Sequence, residues 1–271
     1  MKIFISKLYA FLKRDYLIAL SYKFQFFISI VAIFISVYIF FFVSKFFETS
    51  NIYLQDYSND YFFFLLTGFC LMDMVLRISI TMNTEIRNYQ LTGVFEELIN
   101  LPTPLLNVLL YSHIYPFIMS LFRSTLFFLF AIIFFDLVIN FEYIIFILLA
   151  MILTILSFIG IGMIAGAYAL VFKKGNPISS LNRYATLIVG GIFFPTSVLP
   201  PWLDYISNLL PIKHGLEIIR NLMMPQAMLN NEIFYKFLLL ILLTTIFLLV
   251  GYSLCNFALK LGKKRGTLSF Y

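Results

Sequence analysis

Charge is what this chain has least of. Only 12% of its 271 residues are Asp, Glu, Lys or Arg, where soluble domains carry about 25%. So few charges cannot clothe a water-facing surface around a chain that is 62% hydrophobic, and a soluble globular fold is excluded. Histidine is scarcer still. His113 and His214 are the only two and sit in different loops or span ends, so no pair stands at metal-ligand spacing, and there is no nucleophile elbow. Cys70 and Cys255 both fall inside apolar runs, which argues against a disulfide framework. The G-x-x-x-x-G-K-[ST] phosphate loop is missing. No catalytic, metal or cofactor site is expected on this chain, and if ATP drives it, ATP and magnesium must bind another polypeptide.

What is abundant is apolar length. A helix needs about 20 apolar residues to cross a bilayer, and six stretches qualify: 24–44, 61–83, 107–135, 143–172, 184–203 and 237–259. The second is interrupted by Asp73 and Arg77, the third by Arg123, and the fifth is shortened by Pro195 and Pro200. The fold class is therefore all-α, a polytopic membrane protein with six transmembrane helices in one transmembrane domain over 1–271. The N-terminal charged region reaches Lys23 and no small-residue cleavage pattern follows, so the first run is expected to be a retained span rather than a signal peptide.

Six spans put both ends on one side, and the basic residues choose it. The N-terminal stretch, the loops after spans two and four and the C-terminal tail hold 13 Lys and Arg, against four (Lys45, Lys213, Arg220 and Lys236) on the other side. Basic residues accumulate on cytoplasmic loops, so both termini are expected in the cytoplasm, in a plasma (inner) membrane. The net charge of +6 thus reads as a topology signal, with no nucleic acid as partner. Residues 1–22 alternate Ile3, Phe4, Leu8, Phe11 and Leu12 with Lys2, Lys7, Lys13 and Arg14. They can lie as an interfacial helix against anionic lipid headgroups, or serve as an ordinary basic flank.

Charges inside spans are costly in lipid and face a bundle interior or cavity. Asp73 and Arg77 are four apart and share a helix face; Arg123 needs a partner, and Asp73 would serve if spans two and three pack together. A buried set that fixes helix register is the plainer reading, a substrate contact the sharper one. Gly162 and Gly166 form a small-xxx-small pattern that permits close helix approach.

Two further segments stand out. In the loop 84–104, Leu91, Phe95, Leu98 and Ile99 fall at helical spacing with Glu96 and Glu97 on the polar side, before Pro102 and Pro104 stop the helix. Such a helix suits either docking against a partner or resting on the bilayer. Residues 190–225 are too polar and Pro-broken to span, yet too apolar for an exposed loop. Backbone broken at membrane depth is tolerated where protein buries it, and an outer re-entrant hairpin over 193–224 fits, with Trp202 at the interface. A plain connecting loop is the alternative.

Together these segments resemble the membrane permeases of type-2 ATP-binding-cassette exporters. Members show a Gly-Thr-Leu-Glu-x-Leu-Leu-x-x-Pro stretch after the second span, and 92–102 is similar to it, with Val94 where Thr is common and an extra acid. They also show a Phe-Phe-Pro-x-x-x-Leu-Pro-x-Trp segment, then Leu-Pro and Glu-x-x-Arg. Phe193, Phe194 and Pro195, then Leu199, Pro200, Pro201 and Trp202, then Leu210 and Pro211, then Glu217 and Arg220 follow in that order. The resemblance implies a half-transporter that pairs with a second permease copy and with a separate ATPase. Gly93, Phe95, Glu96, Glu97 and Leu98 would couple to the ATPase, and Phe194, Pro195, Pro200, Trp202, Glu217 and Arg220 would form an outer gate. The implied cargo ranges over drug-like, lipid-like and lipid-linked saccharide molecules. The competing reading is an ion-coupled secondary carrier.

Overall fold

The computed structural model describes residues 2–47, 60–100, 103–172, 176–225 and 227–265. Lys2, Asp56, Pro102, Lys173, Lys174 and Tyr271, which figure in the sequence reading or flank its motifs, have side chains outside the described residues. The described chain is all-helical. Helix α1 (Lys2–Ser21) turns at Tyr22 into α2 (Lys23–Phe47). Then come α3 (Tyr61–Leu91), the short α4 (Val94–Ile99), α5 (Leu105–Tyr111) and α6 (Ile114–Phe135). Helix α7 (Ile144–Phe172) precedes α8 (Pro177–Val189), α9 (Pro201–Asn208), α10 (Pro211–Met223) and the long α11 (Asn231–Arg265).

Five helical runs are long and apolar enough to cross a membrane: Lys23–Phe46, Tyr61–Leu91, Leu105–Phe135, Ile144–Phe172 and Asn231–Lys264. Their starts are set by local chemistry. The Asp60 carboxylate accepts from the Phe63 amide at 3.1 Å to cap α3, and the Asn230 side chain accepts from the Ile233 amide at 2.9 Å to cap α11. Much of α2, α6, α7 and α11 presents Phe, Leu and Ile outward, which lipid accepts and water does not. The outward hydroxyls follow the same logic. Ser36, Thr125 and Ser253 each donate to a carbonyl of their own helix four residues back, the partner available where there is no water.

Three boundaries differ from those read in the sequence. Helix α3 continues through 84–91, so the second span and the start of its loop are one helix; the polar stretch from Thr84 to Gln90 is helix-compatible and does not stop it. The third run divides at Ser112 and His113 into α5 and α6. The fifth run is not a continuous helix over 184–203. Helix α8 begins at Pro177 and ends at Val189, where Gly190 and Gly191 follow and Gly191 takes a left-handed φ of 72°. Its 13 residues cover about 20 Å, short of a hydrocarbon core of roughly 30 Å.

Non-helical peptide then takes the chain onward. Asn182 of α8 reaches the Ser79 hydroxyl at 3.4 Å, whereas residues 191–193 lie beside Tyr61, Phe64 and Thr67 at the start of α3. Helices α9 and α10 fold back as a hairpin. Its near arm is tied to the end of α8 by the Ser207 hydroxyl, which donates to the Val189 carbonyl at 2.7 Å. Gly215 of α10 sits against Thr154, ten residues into α7 and hence about 15 Å along it. The far end returns to the start of α7, where the Asn140 amide donates to the Met223 carbonyl at 2.9 Å.

Helix α3 is the axis of the bundle, buried along most of its apolar length between α2, α6, α7 and α10. The tightest seam joins α7 to α11. A Cβ on Gly160 would stand 2.5 Å from the Phe247 carbonyl carbon, and one on Gly251 would collide with the Gly160 carbonyl oxygen. Gly162 and Gly166 face α3 instead, at Ser79 and Met82. Gly160→Leu is therefore expected to force these backbones apart and destabilise the protein by about 1–3 kcal/mol. Leu249→Ala, on the exposed face of α11, should stay within about 0.5 kcal/mol. Thermal melts of the two purified variants in detergent decide this; equal melting temperatures would refute the seam.

Candidate functional site

Three sets of side chains carry polar chemistry in this apolar bundle. The first lies midway along it. The Asp73 carboxylate receives the Arg77 guanidinium through Nε at 3.0 Å and Nη2 at 2.9 Å, the four-residue spacing placing both on one face of α3. Arg123 of α6 donates from Nε to the other Asp73 oxygen at 3.1 Å. The structure thus brings Asp73, Arg77 and Arg123 together as two cations sharing one anion. Asp73 is twelve residues from the start of α3 and Arg123 twelve from the end of α6, about 18 Å along each helix.

The second set lies at the end of the bundle that holds α1 and α4. Gly93 takes a left-handed φ of 74°, with open space where a Cβ would stand, and this turn folds α4 back from the end of α3. Phe95 is fully buried, packed in a cluster with Met82, Ile86, Leu105, Leu109 and Leu259. One residue of a six-residue helix thereby touches the core shared by α3, α5, α7 and α11. Leu98 is half-buried against the same cluster and Glu97 is exposed; the Glu96 side chain lies outside the described residues. Helix α1 straps both flanks of α4. The Lys7 ammonium donates to the Thr103 hydroxyl at 2.7 Å, and Arg14 donates to the Tyr89 hydroxyl at 3.1 Å while pairing with Asp15 at 2.7 Å and more loosely with Glu85 at 4.0 Å. Sequence reasoning did not find Lys7, Arg14, Tyr89 or Thr103 as partners, because no spacing rule links residues this far apart.

The third set occupies the opposite end. There the chain between α8 and α9 leaves carbonyls without helical partners, and side chains supply donors. Arg220, 2% exposed, donates to the Gly191 carbonyl at 2.7 Å, the Ile192 carbonyl at 3.2 Å, the Phe64 carbonyl at 2.9 Å and the Thr67 hydroxyl at 3.1 Å. Its guanidinium also lies 3.5 Å from the centroid of the Phe64 ring, a cation–π contact. The Tyr61 hydroxyl donates to the Phe193 carbonyl at 2.9 Å. Gly68 makes room, since a Cβ there would stand 2.7 Å from an Arg220 nitrogen.

The other residues singled out at this end are dispersed. Phe194 and Pro200 are exposed, Pro195 is buried, and Trp202 projects outward on α9 with Tyr205. Glu217, three residues before Arg220, turns to Lys236 of α11 at 3.3 Å, and Lys236 also takes Glu232 at 2.6 Å. Within the hairpin Lys213 reaches Asp204 at 2.7 Å and the Asn208 side chain at 2.9 Å. Lys236 and Lys213 were missed as site residues, although a lysine among apolar neighbours is itself a signal of a buried partner.

Compared with known protein families, residues 6–224 match the model of the ABC-2 type transporter family, well over half of the chain. No curated protein matches it in sequence. Among the described residues there is no group of three or more His, Cys, Asp or Glu placed to hold a metal ion.

Removing the Arg220 guanidinium should be costly, since it leaves several buried carbonyls without donors at once. Arg220→Met is expected to lower stability by about 3–5 kcal/mol, read as a lower melting temperature and a smaller monodisperse fraction in detergent. Trp202→Ala, on the exposed side of α9, should melt with the wild type. Indistinguishable melting of Arg220→Met and wild type would show that the broken segment does not depend on Arg220.

Proposed function

The chain belongs to the ABC-2 type transporter family, and from that premise we propose that it is the membrane-spanning half of an ATP-driven exporter. Members of the family are membrane components of transporters and not themselves catalytic; on this reading ATP is hydrolysed by a separate subunit. The observation that supports coupling to such a subunit is the anchoring of α4. Phe95 is seated in the core that α3, α5, α7 and α11 share, and Glu97 on the same short helix is exposed. A push on the acidic surface of α4 must therefore move the ends of several spanning helices, because a packed core transmits displacement rather than absorbing it. The straps from Lys7 and Arg14 would carry the same push into α1 and α2.

In this reading α8 and the peptide at 190–195 form a sixth, broken crossing, and both termini are cytoplasmic, in accord with the basic-residue asymmetry. The hairpin of α9 and α10 then enters from the outer side and turns back, its Arg220 holding carbonyls of the broken peptide and of α3, and caps the path between two copies of the permease. The cargo would be an amphipathic molecule. The acid in the middle of the bundle, Asp73, is bound by two guanidiniums, unlike the unpaired acids of proton relays, so ion-coupled carriage is the weaker reading.

Reversing Glu96 and Glu97 to lysine changes four units of charge on the coupling surface. Breaking charge pairs at an interface costs about 2–5 kcal/mol when they are buried. The double variant should lose co-purification of the ATPase subunit and its stimulated hydrolysis while inserting normally; undiminished co-purification would remove α4 as the contact. Orientation is tested separately. Cysteines introduced at Asp56 and Asn230 should react with an impermeant thiol reagent in intact cells, and one at Lys174 should not. The reverse pattern would invert the topology.

A further inference from the structure

The Asp73, Arg77 and Arg123 set does not close on itself. Two guanidiniums against one carboxylate leave a net charge of +1, and among the described residues Arg123 bonds only through Nε, to Asp73. Its two terminal nitrogens have no hydrogen-bond partner among the described residues. Both arginines line a cleft of about 720 Å³ between α1, α2, α3 and α6. A second observation points to the same space. Ser120 also lines the cleft, is fully buried, and its hydroxyl has no hydrogen-bond partner among the described residues. Buried polar atoms are rarely left so, and here two unconnected side chains share one unfilled volume.

The walls say what kind of molecule suits it. The lining combines polar side chains, Arg77, Arg123, Ser120 and Thr81, with apolar ones, Ile30, Ile33 and Leu126. The Phe26 and Phe122 rings, stacked 6.2 Å apart and both more than 40% exposed, flank the cleft toward the lipid side. The water-side mouth is different in sign. There Asp15 and Glu85 line the cleft and both pair with Arg14, so the acids that a free anion would meet first sit at that end.

We propose that this cleft binds the phosphate-bearing headgroup of a single-molecule amphiphile, with the phosphate on Arg123 and Arg77 and its chain leaving between α2 and α6 into lipid. A phosphate oxygen offers the acceptors that the Arg123 fork lacks and cancels the residual +1 in a medium where uncancelled charge is costly. The proposal concerns binding by the permease alone, so it stands or falls without an ATPase and without transport.

The test uses the full-length chain purified in detergent, with no partner subunit, and native mass spectrometry of lipid adducts. Dioleoylphosphatidylglycerol should bind one saturable site per chain, and dioleoylglycerol, which lacks the phosphate, at least tenfold more weakly. Arg123→Gln leaves Asp73 paired with Arg77 and should weaken phosphatidylglycerol at least tenfold. Ser29→Trp, a half-buried cleft position on α2, obstructs the space with all charges intact and should weaken it similarly. Lys45→Gln, a cation elsewhere on the protein, should change nothing. Equal binding of the two lipids, or wild-type binding by both Arg123→Gln and Ser29→Trp, would overturn the proposal. So would displacement of phosphatidylglycerol by millimolar inorganic phosphate, which would make the cleft a free-anion site.

Discussion

One buried guanidinium makes the rest of this architecture possible. A membrane helix satisfies its backbone by itself, and backbone that leaves the helix must find donors elsewhere. Between Val189 and Pro195 this chain leaves the helix inside the packed end of the bundle where α3 begins, and Arg220 binds two of the freed carbonyls together with one from α3. Ser207 and Tyr61 take the flanking two. Without these donors α8 would have to continue as a helix, and the hairpin of α9 and α10 would have no recess to occupy. Arginine suits this task because its planar fork presents several donors in fixed directions, where a lysine would offer one mobile ammonium.

The same residue type is used in two opposite ways. Arg220 is saturated by carbonyls, a hydroxyl and an aromatic face and so fixes structure. Arg123 is half-saturated, bound to Asp73 through one nitrogen and open to a cleft through the rest. Cost in an apolar medium follows the number of unsatisfied donors and the uncancelled charge. By that measure the first arginine belongs to the scaffold and the second to whatever fills the cleft. Helix α3 connects them, with Phe64 and Thr67 on one and Asp73 and Arg77 on the other.

The sequence made the long helices legible because an apolar run of span length has few other fates, and the family match extends over the same ground. The contact of Asp73 with Arg77 was readable from their four-residue spacing. What lay beyond reach were features set by three-dimensional neighbours. Helix α10 has the pattern of a half-exposed amphipathic helix, yet all its residues except Glu217 and Asn221 are buried, since its polar side faces broken backbone instead of water. Glu217 and Arg220, close in sequence, go to different partners because Lys236 of α11 stands nearer the acid. The seam of Gly160 with Gly251 was hidden for the same reason. A pair of glycines on separate helices leaves no periodic mark, whereas Gly162 and Gly166 on one helix do.

The long sequence separation of the Arg220 contacts also dictates an order of assembly. Arg220 is 156 residues from Phe64, whose carbonyl it holds, and α10 carries Lys213 and Arg220 with too few apolar residues to enter lipid alone. During synthesis the first three spanning runs can enter the bilayer one by one as they emerge, each with its own backbone closed. The stretch from Gly190 to Met223 cannot. On the re-entrant reading proposed above, it would wait at the interface until α3 and α7 are already paired and then sink between them as a unit. On that reading the hairpin would dock only after α3 is in place, and a nascent chain lacking α3 would have nowhere to put it.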